Sequence, residues 1–314
     1  MDSPIVRKAG YALILVLAML PPLFLGLGEP FYLDVVARMM IFGIAALSLD
    51  LLLGYSGMIS LGHAVYLGIG GYAIGILNYY GINDGALQFG AAVLFSALAA
   101  FFIGAVSLRT SGVFFLMITL AFSQMLYFLA ISINTFGGDD GLTISQPSDL
   151  GLNLRESSVF YYFVLAALAA LLIICDRIVN SRFGMLIRGI KYNESRMVAI
   201  GFPTFRYKLT AFVIAGAICG FAGALLANQT LFVSPSLIHW SRSGELLVMV
   251  IAGGVSTLVG PVIGAILYLL LEKVLSGWTI YWGACVGISL VLLVLAGKRG
   301  VLGLAIRKAG VSHA

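Results

Sequence analysis

Two ionisable side chains, Asp50 and His63, stand well inside apolar runs, on either side of the tetrapeptide Gly54, Tyr55, Ser56, Gly57. Charge within a bilayer is costly, so such groups are candidates for proton or substrate handling. A proton-coupled carrier needs them near the midplane, whereas both of these lie close to one turn. Asp50 can brace that turn, and a neutral His63 can hydrogen-bond a neighbouring helix. Polar side chains within apolar runs give a wider set of candidates for a solute path: Ser60, His63 and Tyr66, then Thr119, Ser123 and Gln124. The same groups can equally serve as interhelical hydrogen bonds, worth about 0.6–2 kcal/mol each.

Catalytic chemistry finds no purchase. The one Gly-Lys pair, Gly297 and Lys298, is followed by Arg299 and Gly300, with neither the spacing nor the hydroxyl of a phosphate-binding loop. No Ser/His/Asp set, paired carboxylates or His/Cys cluster stands near a common depth. Cys175, Cys219 and Cys285 fall in apolar stretches without paired spacing, so neither a disulfide framework nor a zinc site follows. The expectation is a chain that is not an enzyme and holds no cofactor or metal of its own.

A basic stretch at about 180–206, with Glu194 as its one acid, is the most informative segment. Residues 183–192 read as a short helix, and Asn193 can cap a second over 194–200. Gly201 suits the left-handed position after that helix and Pro203 prevents its continuation. The second helix would carry Met197, Val198 and Ile200 as an apolar surface beside Glu194, Ser195 and Arg196. Such an amphipathic helix suits contact with a soluble partner; the alternative is a basic face lying on anionic lipid.

The elements that must position these groups follow from composition. Apolar residues make up 61% of the 314-residue chain and Asp, Glu, Lys and Arg only 10%, against about 25% charged in an ordinary soluble domain. That is material for about nine or ten bilayer spans of about 20 residues each. Soluble enzymes and nucleic-acid-binding proteins are excluded, and a net charge of +5 is what basic loops on one side would give. Candidate spans fall at 9–27, 35–53, 58–80, 86–107, 112–133, 158–179, 207–228, 244–257, 258–274 and 278–296. The eighth is short enough to be a half-span, and the glycines around Pro261 mark 253–261 as a broken element.

The fold expected is therefore an all-α polytopic membrane protein, one transmembrane domain across 1–314 with about ten helices, some broken or half-spanning. With an inner N-terminus and alternating spans, only Arg38, Arg155, Arg242 and Lys273 of the 18 Lys and Arg fall outside. That matches the positive-inside rule and predicts cytoplasmic termini, a cytoplasmic loop at about 180–206 and a periplasmic loop at about 134–157. The first run has no small-x-small cleavage site and reads as a retained helix, kinked or ended early by Pro21 and Pro22.

Several segments together resemble the permease subunits of branched-chain amino acid ABC importers, the LivM-type family. They are GYSGMISLGHAVYLGIGGYAIGIL at 54–77, LRTSGVFFLMITLAFSQML at 108–126 and TFGGDDGL at 135–142. RFGMLIRGIKYNESRMVAIGFPTFRYKLTAFVIAGAICGFAGALLA at 182–227 and VIAGGVSTLVGPVIGA at 250–265 complete the set. The resemblance implies an inner-membrane importer half. A second homologous permease would complete the path, two ATP-binding-cassette subunits holding ATP and Mg would drive it, and an external binding protein would deliver substrate. The coupling motif carries over to Arg188, Asn193, Glu194, Ala199 and Gly201, with Arg196 beside them. Asp50 departs from the family, where an uncharged polar residue, often Asn, is expected. Related permeases move urea, short amides or other amino acids, and an ion-coupled secondary transporter is the rival from a different class.

Overall fold

The computed structural model describes residues 4–26, 31–151, 153–278, 281 and 283–288. The run predicted at 278–296 lies largely outside them. The helices are α1 (Pro4–Gly26), α2 (Phe31–Asp50), α3 (Ala64–Tyr79), α4 (Gly85–Ser107), α5 (Val113–Ser132), α6 (Ser157–Asn180), α7 (Arg182–Tyr192), α8 (Glu194–Ala199), α9 (Thr204–Thr230), α10 (Trp240–Gly253) and α11 (Gly260–Ser276). Five of these, counting α2 with its π-helical continuation Leu51–Ser56, are long and apolar enough to cross a membrane. The protein is polytopic and helical, as the composition requires.

α2 lies at the centre, buried from Met39 through Leu52. Around it α3 and α9 approach closely. A methyl group at Gly70 would strike the Gly220 carbonyl, and one at Gly223 the Leu67 carbonyl. Close backbone contact through small residues is the usual packing solution in lipid, where burial of apolar surface gives helices no drive to associate. α5 is the opposite case. Only Phe115, Thr119 and Ser123, spaced one helical turn apart, are buried along its length.

Three details bear on the expectations: the proline pair does not end α1, the third span starts late, and the eighth run is short and broken after Gly253 as its length and glycines predicted. α1 runs on through Pro21 and Pro22 to Gly26. Pro21 cannot donate to the Leu17 carbonyl four residues back, and the buried Tyr161 hydroxyl of α6 supplies that bond at 2.7 Å. The third predicted span is helical only from Ala64, because residues 57–63 are irregular. The eighth run becomes α10, whose 14 residues reach about 21 Å, short of a hydrocarbon core of about 30 Å. It turns through 254–259 into α11, with Gly253 and Gly264 letting the two backbones meet.

Loops sort cleanly to two ends. At one, 134–156 packs with 80–84 and 231–239: β1 (Leu142–Thr143) pairs antiparallel with β2 (Phe232–Val233), and Asn78 donates to the Gln146 carbonyl at 3.0 Å. At the other, the end of α2, 108–112, α7, α8 and 254–259 gather.

Candidate functional site

The basic stretch folds as a capped helix pair. Ser181 caps α7 by accepting from Gly184 N at 3.3 Å, and Asn193 caps α8 by accepting from Arg196 N at 2.9 Å. Gly201 takes φ +95°, and the bonds Gly201 N to Val198 O (2.9 Å) and Phe202 N to Met197 O (3.1 Å) close the helix. Both end signals were legible in the sequence. Met197 packs back on Gly189, so α8 folds against α7. Glu194 pairs with Lys208 of α9 at 2.5 Å. Arg196 and Ala199 are exposed, and Val198 and Ile200 present apolar surface at 55% and 65% exposure. Arg188 is turned inward instead. It donates from Nη2 to the Val179 carbonyl (3.0 Å) and from Nε to Gly184 (3.3 Å), which fastens α7 to α6.

Beside this pair opens a cavity of about 360 Å³, bounded by Ser56, Ile59, Thr110, Val113, Lys191 and Glu194. It leads to the irregular segment 57–63. Non-helical backbone at membrane depth persists only where protein or a water-filled path satisfies it, and here side chains do so. Leu61 N donates to Thr119 Oγ1 (3.3 Å), Gly62 N to Ser60 Oγ (3.3 Å) and Ala64 N to Ser243 Oγ (2.9 Å). Gly57, at φ +72°, starts the segment in a conformation that ordinary residues avoid.

The predicted path residues fall into two groups. Ser60, His63, Tyr66 and Thr119 come together around this segment, all buried. His63 Nε2 lies 2.8 Å from Ser48 Oγ, whose single hydrogen goes to the Ala45 carbonyl at 2.7 Å. His63 then donates through Nε2, while its buried Nδ1 meets no hydrogen-bond partner among the described residues. Its ring meets Tyr66 edge-on at 5.5 Å. Ser123 stands farther out and donates to the Ile238 carbonyl at 2.7 Å. Gln124 is half-exposed in mid-helix and makes no hydrogen bond within the described residues. A second cavity, about 590 Å³ and almost wholly apolar, opens between α3 and α5 on the other side of this level, lined by Tyr72, Leu126, Phe136 and Ile238 among others.

Asp50 is buried and accepts from Ser256 N at 2.9 Å, so it ties α2 to the 254–259 turn. Among the described residues no three His, Cys, Asp or Glu side chains group so as to hold a metal. Lys191 was missed by the sequence reading, because a lysine in a basic loop gives no sign of a specific partner. Ser243 and Ser48 were missed because single serines in apolar runs carry no positional signal.

Comparison with known proteins places the chain in a family. The family described as branched-chain amino acid transport system / permease component matches residues 31–297. The high-affinity branched-chain amino acid transport system permease protein LivM of Salmonella typhimurium is 27% identical, with 96% of this chain and 76% of that protein covered. LivM of Escherichia coli gives the same identity and coverage. The L-arabinose ABC transporter permease protein AraH of Azospirillum brasilense is 29% identical over a shorter stretch, 27% of this chain and 26% of its own. No solved structure gives a significant match. The chain belongs to the permease components of branched-chain amino acid transport systems, and is a multi-pass subunit of the ABC-importer class.

Proposed function

We propose that this chain forms half of the translocation path of an ATP-driven importer for branched-chain or related amino acids in the bacterial inner membrane. A second permease, homologous or a further copy, completes the path. Two ATP-binding-cassette subunits carry ATP and Mg, and a binding protein delivers substrate on the opposite face. The termini and the α7–α8 pair lie on the cytoplasmic side, and 134–156 faces outward. The observation that carries this reading is α8: a short, double-capped helix at one end of the bundle, with Val198 and Ile200 turned away from their own chain. An ATPase cleft gives such a surface its counterpart.

The path itself runs along the seam between α5 and the 57–63 segment with α3. Cavities open on both sides of that seam, and the level of Ser60, His63 and Thr119 closes it. Gln124 supports the same seam, because an amide left without partners in hydrocarbon costs several kcal/mol. A second permease or an aqueous path satisfies it. Substrate choice stays within small polar solutes, since the AraH likeness bears on the fold of the path and not on its cargo. Purification in mild detergent tests the assembly. An ATPase and a second permease should co-purify and hydrolyse ATP, whereas an isolated chain that catalyses ion-driven uptake alone would refute it.

A further inference from the structure

Lys191 stands at the last turn of α7, two residues before the Asn193 cap of α8. Its ammonium reaches across to the Gly54 carbonyl at the end of the α2 span and to Ser256 Oγ at 3.4 Å. Ser256 Oγ donates to the same Gly54 carbonyl at 2.7 Å, and Ser256 N donates to Asp50 Oδ1 at 2.9 Å. The donor count closes: the Ser256 hydroxyl gives its hydrogen to Gly54 and accepts from Lys191. Ser256 itself sits at φ +64°, a conformation uncommon outside glycine. The aliphatic stem of Lys191 lies over Gly57, where a Cβ would come within 2.9 Å of its Cγ.

We propose that Lys191 is the positioning residue that transmits motion of α8 to the inner end of the translocation path. This rests on the coupling role proposed above for α7 and α8. One side chain joins three segments that the covalent chain keeps far apart: α7, the end of α2 and the 254–259 turn. The last carbonyls of a helix have no intrahelical donor and carry partial negative charge, so the ammonium is the natural group to hold Gly54. One turn beyond Gly54, at Gly57, begins the irregular segment that leads to Ser60 and His63. Lys191 also borders the 360 Å³ cavity and is exposed to it. Its charge can therefore leave the junction for water, which gives two discrete arrangements, engaged and released. The Met197–Gly189 contact ties α8 to α7, so on this proposal a shift of α8 changes which arrangement is favoured. A two-state element biased in this way supports coupling of about 5–150-fold.

The test uses the complete transporter in proteoliposomes, with Lys191→Met and Lys191→Arg. Methionine keeps a flexible stem over Gly57 and removes the ammonium; arginine restores a charged donor. Lys191→Met should assemble and hydrolyse ATP at a basal rate within about twofold of wild type, while stimulated hydrolysis and uptake fall at least about tenfold. Lys191→Arg should recover most of both. Amide exchange on the chain alone, in detergent, should rise at 54–58 and 254–258 in the methionine variant. Wild-type uptake in Lys191→Met overturns the proposal. So does parallel loss of assembly, basal hydrolysis and uptake without rescue by arginine, which is the behaviour of a structural brace. Unchanged exchange at 54–58 also overturns it, and that measurement needs no ATPase. A wild-type preparation without any ATPase would sink the importer reading instead.

Discussion

Replacing Gly201 by valine attacks α8 through backbone conformation alone. Gly201 holds φ +95°, and a Cβ built there meets nothing within 4 Å, so no steric neighbour confuses the result. An ordinary L-residue in left-handed geometry costs about 1–2 kcal/mol, and a β-branched one more. If the residue swings to negative φ, the closing bonds Gly201 N to Val198 O and Phe202 N to Met197 O are lost, at about 1 kcal/mol each. Against this stand the Asn193 cap, worth about 1 kcal/mol, and the Glu194–Lys208 pair, whose acid is 43% exposed and which contributes at most about 1 kcal/mol. A six-residue helix has no stability of its own to add. Valine should therefore unwind the end of α8 that carries Val198 and Ile200. Asparagine, which tolerates left-handed geometry, should largely preserve it. The assay is substrate-stimulated ATP hydrolysis by the reconstituted transporter. Gly201→Val should abolish stimulation with membrane insertion intact, and Gly201→Asn should keep most of it. Equal losses in both variants, or wild-type stimulation in valine, would refute the backbone argument.

Charge reversal at Glu194 should uncouple transport in the same way, read as uptake against basal ATP hydrolysis, because it sets two cations against each other at Lys208. His63→Gln should keep transport, with an uptake profile parallel to wild type across about pH 5.5–8, the range that brackets the ordinary histidine titration; a collapsed rate in an intact complex would restore proton coupling. Tyr161→Phe leaves the Leu17 carbonyl unsatisfied and should destabilise the protein by about 1–3 kcal/mol, seen as a lowered Tm in detergent. Pro21→Ala should recover part of that loss by returning a backbone donor to Leu17, and strict additivity of the two substitutions would contradict the pairing. Single cysteines at Asp140 and Glu194, in a background lacking the native three, should label from opposite sides of the membrane; labelling from one side would break the topology.

Helix positions were largely legible because each span needs its own apolar run, and α2, α4, α5, α6 and α9 fall where the runs do. Apolarity reports the solvent a segment meets, however, and not its backbone. Residues 57–63 lie within a long apolar run yet are not helical, and the information that breaks them lies in Gly57, Gly62 and remote partners such as Thr119 and Ser243. α8 was legible to within one residue because its signals are local: Asn193 before it, Gly201 and Pro203 after it. Asp50 was recognisable as a possible brace, but its partner Ser256 is 206 positions away in sequence, beyond any local pattern. Lys191 was illegible for the same reason, since only the fold brings it to Gly54.

The importer reading stands or falls on whether α8 docks into an ATP-binding-cassette subunit. A photo-crosslinking amino acid at Val198, activated in native membranes, tests it directly. Docking of α8 should give an adduct with an ATP-binding subunit, in a yield that changes when ATP is added. An adduct confined to lipid, in membranes where the chain is stably inserted and uptake is intact, would contradict it.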